Sequence, residues 1–68
     1  MDLKELRGKR KLKDVAEALG WKYSSRLCNY ESGARGADPE VLDSLAQVYG
    51  VPLKIVFDAY IETRKKAS

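Results

Sequence analysis

Near the middle of the chain stand four residues whose side chains could read a polar surface: Ser24, Ser25, Arg26 and Asn29. Hydroxyls, a carboxamide and a guanidinium can donate to and accept from base-pair edges, and an arginine can set two parallel hydrogen bonds on guanine O6 and N7. Arg26 and Asn29 are three residues apart, so a helix would carry them on one face. Asn29 suits adenine or a phosphate, while the two serines divide between meeting DNA and capping a helix. Around them lie cations long enough to reach phosphates, Lys11, Lys13, Lys22 and Arg35, with Tyr23 placed at the rim for a phosphate or a thymine methyl.

Other chemistries are poorly supplied. The chain has no histidine and one cysteine, Cys28, so no imidazole can activate the thiol, and Cys28 is expected to be a partly buried small apolar residue. One cysteine also makes neither an internal disulfide nor a four-ligand zinc site. There is no clustered acid pair and no phosphate-cradling glycine loop. The expectation is a protein without enzymatic activity, cofactor, metal or small-molecule ligand.

Charge is unevenly spread along the 68 residues, whose formal total is +3. Residues 1–37 hold nine Lys or Arg against five acids. Between Asp38 and Thr63 the only base is Lys54, set against Asp38, Glu40, Asp43, Asp58 and Glu62. One face should be basic and attract an anionic partner, with the acidic residues at the opposite end. A chain of this length buries only about 60 % of its unfolded surface, so residues 1–68 are expected to form a single domain. No apolar run approaches the ~18 residues of a membrane span, and the start shows no leader pattern, so a soluble cytoplasmic protein without membrane partners is expected.

The elements that must position these residues follow from apolar spacing and stop signals. Leu3 and Leu6 mark a short first helix. Leu12, Val15, Ala16 and Leu19 fall at i, i+3, i+4 and i+7, and Gly20 supplies the left-handed residue that ends this second helix. Ser24 or Ser25 caps a third helix to about Glu31, with Leu27 and Tyr30 inward and Gly33 closing it. After a loop from Ser32 to Asp38, Asp38-Pro39 opens a fourth helix that Gly50 ends. A fifth starts near Pro52 and carries more apolar surface than one intrachain face requires. Its residues Ile55, Phe57, Tyr60 and Ile61 form a candidate dimer interface, on a helix of about 52–65. The class is all-α.

Small Ala16, Gly20, and the pair Leu27 and Tyr30 meet the steric demands of two helices packed steeply across a tight turn. With Leu-Lys-Glu-Leu-Arg (3–7), Leu-Lys-Asp-Val-Ala-Glu-Ala-Leu-Gly (12–20), Tyr-Glu-Ser-Gly (30–33) and Leu-Ala-Gln-Val-Tyr-Gly-Val-Pro-Leu (45–53) in that order, the chain resembles the Cro and phage-repressor-like helix-turn-helix proteins, the Xre family. The resemblance implies a five-helix, lambda-repressor-like DNA-binding domain with its helix-turn-helix at about 12–31. Helix 3 would enter the major groove, while the start of helix 2 and the loop after helix 3 hold phosphates. It further implies a structural salt bridge between Arg7 and Glu31, and Trp21 in a place where the family has an aliphatic residue packed under the turn. One residue more than usual separates Gly20 from Leu27, so either the turn is longer or helix 3 starts later. The function expected is a sequence-specific regulator of transcription, a homodimeric repressor on a palindromic double-stranded operator. The alternative is a protein-interaction module, an antitoxin or viral adaptor, on the same core.

Overall fold

The computed structural model describes residues 1–67 as an all-α fold of five helices. They are α1 (Leu3–Arg7), α2 (Leu12–Ala18), α3 (Ser25–Ser32), α4 (Pro39–Tyr49) and α5 (Leu53–Ala67). No strand occurs among the described residues. α1, only five residues long, is held at its start by a reciprocal capping box. The Asp2 carboxylate accepts from the Glu5 N–H at 2.9 Å, and the Asp2 N–H donates to the Glu5 carboxylate at 3.1 Å. α4 begins with Asp38 in extended backbone and Pro39 inside the first turn, where a missing N–H costs nothing.

One apolar cluster joins the helices. Leu3 from α1, Val15 from α2, Leu27 and Tyr30 from α3, Leu42 and Leu45 from α4, and Val56 and Ala59 from α5 are all buried in it. α5 packs against α4, α1 and α3, while α3 packs against α1 and α2. Within this seam Thr63 is buried, accepting from the Leu3 N–H at 2.9 Å and donating to the Ala59 carbonyl at 3.0 Å. At the surface beside it the Met1 amine pairs with Glu62, and Lys66 lies 3.0 Å from Asp2 and 3.7 Å from Glu5.

The end of α5 is pressed against the end of α3. Gly33, the left-handed residue after α3 (φ 79°), is buried, and a Cβ there would stand 2.4 Å from that of Ala67. Only glycine serves both the backbone turn and this approach. Arg64 adds a hydrogen bond to the Gly33 carbonyl at 2.8 Å.

The apolar surplus on α5 is real, but its layout differs from the expected patch. Leu53, Phe57 and Ile61 are exposed and recur every fourth residue, forming one stripe beside the buried Val56 face. Ile55 is exposed on the other flank, because two residues turn a helix by about 200°. Tyr60 is half-buried, and its hydroxyl accepts from the Ala37 N–H at 3.1 Å, which ties down the loop before α4. Between the starts of α4 and α5 runs an apolar groove of about 380 Å³, lined by Pro39, Leu42, Leu53, Lys54 and Phe57.

Candidate nucleic-acid interface

α2 and α3 are joined by residues 19–24, so helix 3 begins at Ser25 after a long turn. The exit from α2 is closed by two bonds, Gly20 N–H to the Glu17 carbonyl (3.0 Å) and Trp21 N–H to the Ala16 carbonyl (2.9 Å). This is the Schellman pattern, and Gly20 takes the positive φ of 77° that it demands. The turn delivers Trp21, half-buried, beside Tyr30 of α3, with ring centroids 5.6 Å apart and planes tilted by 51°.

Leu27 and Tyr30 anchor α3 in the core at 1 % and 3 % exposure. That leaves Ser25 and Asn29 outward and Arg26 on the flank next to Tyr30. Neither serine caps the helix through its side chain. Ser24 holds the capping position in helical backbone (φ −74°, ψ −15°), whereas a capping hydroxyl works from extended backbone, and no side-chain bond forms. Cys28 is exposed and not partly buried, because it sits about 100° round the helix from Leu27.

An open cleft of about 360 Å³ gathers Lys22, Tyr23, Ser25, Arg26, Asn29 and Arg35 around Gly20 and Trp21. Its cations lean on aromatic faces. The Arg26 guanidinium carbon lies 4.3 Å from the Trp21 ring centroid and 5.9 Å from that of Tyr30, with Nε donating to the Tyr30 hydroxyl at 3.4 Å. Arg35 stands 5.7 Å from the Tyr30 ring, and Lys22 5.4 Å from that of Tyr23. No carboxylate lines the cleft, so three positive charges are held in place by rings that do not neutralise them. Such a surface attracts anions.

Of the other residues singled out from the sequence, Ser24 is half-buried in the turn and does not line the cleft. Lys11 and Lys13 are exposed at the start of α2, also away from it. Arg10 bonds the Arg7 carbonyl at 3.2 Å and lies over the Tyr49 ring at 5.2 Å, which leaves Lys9 and Lys11 as the solvated members of that run. Arg7 Nε donates to Glu31 at 2.7 Å with both side chains largely buried, pinning α1 to the end of α3. Burial pushes the Glu31 carboxyl upward in pKa, against the opposing pull of Arg7. Sequence reasoning assigned Trp21 to packing alone and missed its contact with the Arg26 guanidinium. The contact crosses the turn, and no local periodicity signals it.

A family model described as a helix-turn-helix domain matches residues 2–54. The chain belongs to this helix-turn-helix domain family. The match spans α1 to α4 and stops at the start of α5, so most of that last helix lies beyond the part the family defines. Searches of curated proteins and of solved structures found no significant match. A helix-turn-helix domain suggests a DNA-binding regulator, in line with the cationic cleft beside α3. Among the described residues no helix is long and apolar enough to cross a membrane.

Proposed function

We propose that residues 1–68 act as one binding unit, a sequence-specific transcriptional repressor that works as a homodimer on a palindromic operator in the cytoplasm. The observation that carries this reading is the cleft, where uncompensated cations and short polar side chains converge at the start of the recognition helix α3. Ser25, Arg26 and Asn29, with Ser24 beside them in the turn, supply the base contacts. Lys11, Lys13, Lys22, Tyr23 and Arg35 hold the phosphates.

Size supports pairing. The Cα trace extends 27 × 23 × 23 Å, whereas successive major-groove faces on one side of a duplex are about 34 Å apart. One copy covers one half-site, and two copies are needed for the rest. The stripe Leu53, Phe57 and Ile61, with the adjoining groove, is the apolar surface a second copy would cover. Repression then follows from occupancy, by excluding polymerase.

Selecting bound duplexes from a random pool tests the reading, because it reports sequence, symmetry and half-site spacing together. On the selected site, affinity should fall with salt at a log–log slope near −0.9 per phosphate contact. Arg26→Ala should relax preference at one base pair per half-site, by about 1–3 kcal/mol, while Lys13→Ala weakens all duplexes alike. Failure to retain any duplex, or indifference to salt, would favour a protein-binding adaptor using the acidic second half.

A further inference from the structure

We propose that Trp21 and Tyr30 are positioning residues for base reading, clamping the Arg26 guanidinium so that its Nη1–Nη2 end meets a guanine edge. The inference rests on the DNA-binding reading above and adds to it which base is read and what aims the reader. A surface arginine has a long flexible stem, and fixing it on a base costs conformational freedom. Here much of that ordering precedes binding. The guanidinium carbon sits over the Trp21 ring at 4.3 Å from its centroid, and Nε is directed to the Tyr30 hydroxyl at 3.4 Å.

With the group held over the ring and Nε engaged, the part of the fork left to donate is its terminal pair of nitrogens. Two parallel donors match O6 and N7 of guanine, whereas adenine offers a donor at N6 and repels one of them. The clamp is itself anchored. Tyr30 is buried, and the Trp21 backbone is locked onto the Ala16 carbonyl at 2.9 Å. The end of α2, which carries none of the base-reading candidates, thereby sets the position of the reading atoms on α3.

The test compares a selected duplex with its guanine-to-adenine variant at the Arg26 position. The parent chain should prefer guanine by about tenfold, within the range of one bidentate contact, and Arg26→Ala should abolish the preference. Trp21→Leu and Tyr30→Phe should each cut it several-fold, while affinity for random duplex and the salt slope stay within about twofold. Trp21→Phe, which restores a ring face, should recover most of it. Because Trp21 is the only tryptophan, its emission should shift in free Arg26→Ala protein. A folded Trp21→Leu chain that prefers guanine as strongly as the parent overturns the proposal. Should Trp21→Leu not fold, Tyr30→Phe decides, since it keeps the core ring, and undiminished preference overturns the clamp. If Arg26→Ala itself keeps the preference, or no duplex binds, the base-reading role has failed first and the clamp falls with it.

Discussion

Thr63, 3 % exposed, closes a short polar path inside an apolar seam, linking the Leu3 N–H to the Ala59 carbonyl through its one hydroxyl. Valine has the same shape without the hydroxyl, so Thr63→Val would leave a buried N–H unpaired at a cost of about 1–3 kcal/mol. Thr63→Ser keeps both bonds and should retain more of the stability. Urea unfolding of the two variants checks this, and equal midpoints for Thr63→Val and the parent would contradict it. No pattern in the sequence marks Thr63, since its partner lies 60 residues away. The cap on α1 was legible, because Asp2 and Glu5 have capping-box spacing, yet attention to the apolar pair Leu3 and Leu6 passes over it. The serines mislead for a local reason: composition favours a cap at Ser24 or Ser25, but the long turn enters α3 with Ser24 in helical backbone.

At the level of elements, apolar periodicity located all the helices, because Leu12, Val15, Ala16, Leu27, Tyr30 and the α4 residues each face a core that one cluster fills. It was weaker on α5, where two apolar faces overlap. Angular spacing separates them: Val56, Ala59 and Thr63 go inward, Leu53, Phe57 and Ile61 form the open stripe, and Ile55 stands apart. Phe57→Asp should therefore give monomers in sedimentation with helicity unchanged, since the side chain is 49 % exposed in one copy. Ile55→Asp should leave the proposed dimer intact. The reverse result would move the interface to the other flank of α5. Tyr60 is a poor probe for this purpose, because its hydroxyl also secures Ala37.

Across the whole molecule, the cations of the cleft all come from the basic first half of the sequence, on the turn before α3, on α3 and on the loop after it. pH acts on the core through Tyr49, whose phenol is pushed from 10.0 up to about 12, chiefly by burial and secondarily by Glu31. A raised folded value means the tyrosine contributes stability that is intact below pH 10 and is lost as pH rises through about 12. Two units correspond to roughly 2–3 kcal/mol. Tyr49→Phe should remove this alkaline slope while changing stability at neutral pH little, as read by unfolding at a series of pH values. An unaltered slope would place the titration elsewhere. The junction at Gly33 has a consequence for how binding sites diversify. α5 is a rod of about 22 Å, with the proposed seam at its start and its far end wedged against the close of α3. In the proposed dimer, a continuous helix would transmit any shift in the seam to the separation of the two copies of α3. Operator spelling and operator spacing would then be encoded on separate elements of that dimer, so substitutions on α3 would change which bases are chosen while the distance between half-sites stays as it was.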